Sequence, residues 1–293
     1  MTTPFRIVLH PNSLSLHVLH RLGILEERLK GSEVRVEWVT IAGGARTPDY
    51  LAADLADFGG TGSTPPITGQ GNGVWLVYAA ASAPRDFGGI AVRNDSDISK
   101  IADLKGKIVT HSGGSWHQIL ISIALHRAGL TWSDIVPVDL PEPDSHERLL
   151  AGKVDAWASG ELVGGNVAGA RFIARTGTIF PNRFIFFARR DFAEKDPALL
   201  ETAVQAVDQA EHWIGQNPDD AAAHLRAALK RDSAEQWRAL LTAREWGLVP
   251  IDQQIVDEQQ VAADILHSFG LISRNIKVRD ATLPKAVAVK RAA

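Results

Sequence analysis

Residues 111–120, HSGGSWHQIL, set two glycines and a serine before an apolar run and flank them with His111, Trp116 and His117. Glycine at positions 113 and 114 lets a turn bring its backbone close to another group. Ser115 is a residue type that caps a helix, which Ile119, Leu120 and Ile123 then continue. A helix start carries unpaired N–H donors and about +0.5 of an elementary charge, so the chemistry on offer is the holding of an anion. A second junction of this kind, GTGSTPPI at 60–67, places Ser63 or Thr64 as cap and Pro65 near the first helical position. In a third, HPNSLSLH at 10–17, His10 ends a strand, and Asn12 and Ser13 can donate to an anion while capping the next helix. Plain capping turns would use the same residue types.

The aromatic and basic residues nearby have two readings each. Trp116 and Trp157 suit either an aromatic wall for an organic tail or packing inside a domain. Arg85 and Arg183 suit either a clamp on an acid or a tie between domains, and both stay outside the candidate set. His10, His111 and His117, with Glu161, are the types for a metal or an acid–base pair. Their spacing matches no ligand motif, so neither metal nor cofactor is expected. His17 and His20, three apart, are expected on the solvent side of a helix.

These residues must be positioned by a chain of 293 residues, long enough for two lobes. The 31 Lys and Arg against 34 Asp and Glu give a net charge of −3 with no basic block, which argues against nucleic acid or lipid headgroups as partners. The absence of cysteine excludes disulfides, thiolate metal sites and a cysteine nucleophile. No apolar run reaches the roughly 18 residues of a membrane span, and the chain reads as soluble. Its start lacks a basic then apolar leader, so the expected location is the cytoplasm, or the periplasm if an export signal has been removed.

Short β-branched runs alternate with helical patterns, the rhythm of βα units and largely parallel sheets. Strands are expected at 5–10, 33–41, 74–81 and in KIVTH, VPVDLP, VDAWAS and ARFIAR. Helices are expected over SLHVLHRLGILEERL, near 47–55, over DISKIADLKG, over SWHQILISIALHRAGL, over SHERLLAGK and near 161–170. From Pro197 the pattern is helical, with a break at Asn217-Pro218. The chain is expected to cross between lobes twice, near 83–87 and 182–187. That makes residues 1–86 plus 186–293 one lobe and 87–185 the other, with the C-terminal helices on the first.

The strings ADFGGTGSTPPI, ISKIADLKGKIVTHSGGSWHQIL, ALHRAGLTWSDIVPVDLP, LLAGKVDAWAS and RRDFAEKDPALL, in this order, resemble the signatures of ABC-transporter substrate-binding proteins of the aliphatic sulfonate, taurine and nitrate type. The resemblance implies an α/β, two-lobed, periplasmic-binding-protein-like (type II) fold with the ligand cleft between the lobes. It implies capture of a small organic oxyanion, sulfonate-like, for an ABC permease, by a protein that acts as a monomer. After VDAW the family often continues with an acidic-proline or aromatic element, whereas this chain has Ala158, Ser159, Gly160 and Glu161. The candidate ligand set is therefore His10, Asn12, Ser13, Ser63, Thr64, Gly113, Gly114, Ser115, Trp116, His117, Ser159 and Glu161. The alternative is a cytoplasmic enzyme on the same fold, such as a decarboxylase, a desulfinase or a cofactor-biosynthesis enzyme. The missing leader and the histidines speak for it, and the missing cysteine speaks against it.

Overall fold

The structure, a computed structural model, describes residues 3–160, 168–230 and 232–289. Its strands are β1 (Thr3–Leu9), β2 (Val34–Thr40), β3 (Phe58–Gly62), β4 (Leu76–Ser82), β5 (Gly89–Arg93), β6 (Ile108–His111), β7 (Val136–Asp139), β8 (Ala156–Ser159), β9 (Ala170–Arg175), β10 (Phe184–Arg189) and β11 (Leu248–Val249). They form one sheet of order β11-β4-β10-β3-β1-β2 and another of order β7-β6-β8-β5-β9. The chain divides into two compact units. The first is Met1–Ala83, Arg183–Val256 and Lys277–Ala293, and the second is Pro84–Asn182 and Asp257–Ile276.

Both sheets are mixed, where the sequence predicts largely parallel ones. In the first unit β1 runs parallel to β2 and β3, but β10, returning after a hundred residues in the other unit, inserts antiparallel between β3 and β4. In the second unit β6 is parallel to β7 and β8, while β5 runs antiparallel to β8 and β9. A strand that enters or leaves a unit has no crossover helix to set its direction, so the βα rhythm is silent about it. The chain changes unit at 83/84, 182/183, 256/257 and 276/277. Residues 257–276 group with the second unit although the helix Gln253–Ser268, in which they begin, starts in the first.

The first core forms because Phe5, Ile7 and Leu9 alternate along β1 and meet Leu16 and Leu19 of the helix Leu14–Leu22 and Leu200, Val204 and Val207 of the helix Pro197–Gln216. Phe58 and Phe186 stack in its centre, 6.2 Å apart. The predicted single helix over 15–29 is two, Leu14–Leu22 and Ile24–Arg28, because Gly23 takes a left-handed conformation (φ 62°) that ends the first. DISKIADLKG forms only one 3₁₀ turn, Ile101–Leu104. Asp103 accepts from the Ser99 and Lys100 amides, and Gly106, at φ 74°, turns the chain into β6. The helix expected near 161–170 falls mostly on residues 161–167, outside the described residues. Gly169 is a turn and β9 begins at Ala170. Among the described residues no helix is long and apolar enough to cross a membrane.

Candidate functional site

In the second unit the parallel strands β6, β7 and β8 end at His111, Asp139 and Ser159, so the loops that follow them share one sheet edge. This is the edge at which open α/β sheets bind ligands. Gly114 turns the loop after β6 at φ 68°, and Ser115 follows in extended conformation. The Ser115 hydroxyl accepts from the His117 amide at 3.3 Å and donates to the Ser112 carbonyl at 2.6 Å, capping the helix Trp116–Arg127 as predicted.

Gly113 is occupied from within the chain. Its amide donates to Asp139 Oδ1 at 2.8 Å, and a Cβ at this position would lie 2.3 Å from Asp139 Oδ2. An acidic side chain thus already neutralises part of the positive loop. His117, 3% exposed, accepts from the Ser112 amide at Nδ1 (3.4 Å), which assigns the proton to Nε2, 3.0 Å from Glu142 Oε1. Gly160, next after β8, packs against this pair. A Cβ there would meet Glu142 Oε1 at 2.4 Å, His117 Nε2 at 2.7 Å and Trp116 Nε1 at 3.4 Å. Trp116, His117, Glu142 and Gly160 therefore form one constellation, with Ser159 immediately before it.

His111 lies beside this loop, its ring edge-on to Trp132 at 5.1 Å. Burial pushes its pKa down while the Asp139 charge pulls the other way. Trp157 and Ser159 share the opposite face of the second sheet and are buried, Trp157 stacked on His146 at 5.2 Å. Glu161 lies outside the described residues.

In the first unit the corresponding loops follow β1 and β3. His10 is 3% exposed and held at both ring nitrogens. Nδ1 accepts from the Asn12 amide at 3.3 Å, and Nε2 donates to the Gly60 carbonyl at 2.8 Å. Burial pushes its pKa down, so the ring is a neutral strut between its loop and β3. Ser13 does not cap its helix, because its hydroxyl donates to the His10 carbonyl at 2.6 Å and accepts from the His10 amide at 3.0 Å. Asn12 is exposed at the loop tip.

Ser63 also fails to cap. Its own backbone is already helical (φ −65°, ψ −26°), and the residues whose amides it would reach, Pro65 and Pro66, have none. Its hydroxyl donates instead to the Arg183 carbonyl at 3.2 Å, and Thr64 beside it is buried. Arg183, left outside the candidate set, is buried here and donates through Nη1 to the Ser82 carbonyl at 3.2 Å. The structure thus brings His10, Asn12 and Ser13 onto one loop and ties that loop to β3. In the other unit it unites Gly113 to His117 with Ser159.

Sequence reasoning misses Asp139, Glu142 and His146. Asp139 and Glu142 stand at a strand end and in a first helical turn, which is a usable signal. His146 lies inside a helix and has none. His17, expected on the solvent side, is half-buried. Its Nε2 reaches the His10 carbonyl at 3.2 Å, and burial lowers its pKa to about 4. Among the described residues no group of three or more His, Asp or Glu side chains could hold a metal ion.

The sequence profile of the family described as NMT1/THI5 like matches residues 29–221. The chain is 29% identical over 94% of its length to a putative aliphatic sulfonates-binding protein of Escherichia coli, of which it covers 86%. The crystal structure of the periplasmic aliphatic sulphonate binding protein SsuA from Escherichia coli superposes with a TM-score of 0.86 at 25% identity, covering all of this chain and 96% of that one. The alkanesulfonate-binding protein SsuA from Xanthomonas axonopodis pv. citri, bound to MOPS, gives 0.81 at 24%, covering 97% and 99%. The α/β fold with two mixed sheets is thus that of periplasmic binding proteins.

Proposed function

The chain belongs to the NMT1/THI5-like family, and from that premise we propose that it is a solute-binding protein that captures a small organic sulfonate for an ABC importer. The observation that carries this reading is the likeness, over nearly the full length of both chains, to proteins named for binding aliphatic sulfonates. The strand-end loops supply suitable chemistry. The Ser115-capped helix start of the second unit, with Gly114, Trp116 and His117, offers neutral donors and an aromatic edge. A sulfonate head needs preorganised N–H and O–H donors and no buried cation, and Ser159 extends the donor set of this unit.

His10, Ser13 and Ser63, whose bonds run within the chain, hold the loops in place. The partner is a membrane permease, the working form is a monomer, and the location follows that of the periplasmic relatives. The enzyme alternative is not favoured: the Escherichia coli and Bacillus subtilis relatives that match 94% of the chain in sequence are named as sulfonates-binding proteins, and a chain without cysteine has no thiolate nucleophile.

Thermal-shift screening against alkyl and aryl sulfonates, sulfate, nitrate and carboxylates tests the proposal. At a hundredfold excess over Kd a true ligand adds about 2.7 kcal/mol to apparent stability. A shift with alkanesulfonates and none with nitrate supports the reading, and a flat response to all sulfonates refutes it.

A further inference from the structure

The second unit contains a set of buried polar atoms that folding alone does not satisfy. β8 alternates its side chains, so Trp157 and Ser159 face the same way, toward the helix Glu142–Leu150. Trp157 packs there with Leu149, and its indole stacks on His146. Trp157 is 3% exposed and Ser159 fully buried. Trp157 Nε1, Ser159 Oγ and His146 Nε2 are each buried without a hydrogen-bond partner among the described residues. Native interiors rarely leave such groups unpaired, because each one forfeits its hydration with nothing in return. Two on one face of β8 and one on the helix that covers it, near the strand end where this sheet class binds ligands, point to a guest that completes them.

The chemistry of the guest follows from the donor inventory. An indole N–H can only donate, and a serine hydroxyl can donate while it accepts, so the group they receive must present acceptor oxygens. We propose that Trp157, Ser159 and His146 form a specificity-determining subsite of the second unit that receives an oxygen of the bound oxyanion. This rests on the sulfonate-binding reading and deepens it by assigning residues on the β8 face, where the constellation of Trp116, His117 and Glu142 belongs to the neighbouring loops. A carbon tail could satisfy none of the three atoms.

Ser159→Ala and Trp157→Phe each remove one donor and keep the shape of the side chain closely. Calorimetric titration of the intact protein with butanesulfonate and with MOPS, alongside melting of the ligand-free protein, tests the assignment. Each substitution is expected to weaken binding by about tenfold, the scale of one lost hydrogen bond, while the ligand-free protein melts at the same temperature or higher, since an unpaired buried group has been deleted. Unchanged affinity with a lowered melting temperature would overturn it, because that pattern means the atoms are bonded to internal water and serve the fold. Should Trp157→Phe fail to fold, Ser159→Ala decides alone. If the parent protein binds neither sulfonate, the broader function fails and the subsite with it. If the parent binds and both variants match it, only the subsite fails.

Discussion

At position 160 the choice of glycine is set by two neighbours of different stiffness. The Glu142 carboxylate is the end of a flexible side chain and can swing away from a Cβ, but the His117 ring, held at Nδ1 by the Ser112 amide, cannot move without breaking that bond. Gly160→Ala should therefore leave the chain folded and weaken ligand binding by about tenfold, roughly 1.4 kcal/mol, read by calorimetry. Binding equal to the parent would mean that the constellation lies away from the ligand. His17 makes a second residue-scale prediction. Its pKa falls from about 6.5 in an unfolded chain to about 4 in the folded one, through burial. Between those values the unfolded chain binds more protons. The contribution of His17 is thus complete above about pH 6.5 and is lost as the pH falls toward 4. Burial shifts His10, His111 and His224 in the same direction. The melting temperature should drop from pH 7 to pH 5, and the drop should be smaller in His17→Gln. An identical pH profile would contradict the assignment.

The helix Trp116–Arg127 begins where Ser115, extended and then turning, offers its hydroxyl to the second amide of the helix. Ser115→Ala should cost about 1 kcal/mol of stability, the usual worth of such a cap, seen as a fall of a few degrees in melting temperature. Ser63→Ala should not follow that rule, because its hydroxyl bonds the Arg183 carbonyl and no cap exists to be lost. Equal losses from the two would show that the helices begin alike. The contrast marks how far the sequence could be read. Strands with alternating or β-branched runs, the Ser115 cap and the break at Asn217-Pro218 were legible, because propensity and turn chemistry decide them locally. The same local reasoning failed at Ser63, where Pro65 and Pro66 supply no amides to cap, and at Gly23, which ends a helix that the apolar period continues. It could not see that Asp139, 26 residues on, accepts from Gly113, since nothing in either segment announces the other.

At the scale of the whole molecule, two cores hold the sheets, and the first is tied at its lower edge by charge. Asp57, almost fully buried, accepts from the Arg6 amide at 2.8 Å and pairs with the Arg6 guanidinium at 2.8 Å and with Arg189 at 3.4 Å, joining β1, β3 and β10. Asp57→Ala leaves the Arg6 amide unpaired and the two guanidiniums with only exposed acids such as Asp54, so it should lower stability by about 2 kcal/mol in a denaturant melt. A loss under about 1 kcal/mol would place this network with ordinary surface pairs. The division at 256/257 falls inside a continuous helix, where no local pattern announces it. The proposed capture of an organic sulfonate is measured most directly by titration calorimetry of the intact protein with a chain-length series of alkanesulfonates, the matching carboxylates and sulfate. The prediction is saturable one-to-one heat for at least one alkanesulfonate, with affinity at least about tenfold above its carboxylate counterpart and above sulfate. No heat from any sulfonate, or equal affinity for the carboxylates, would contradict it.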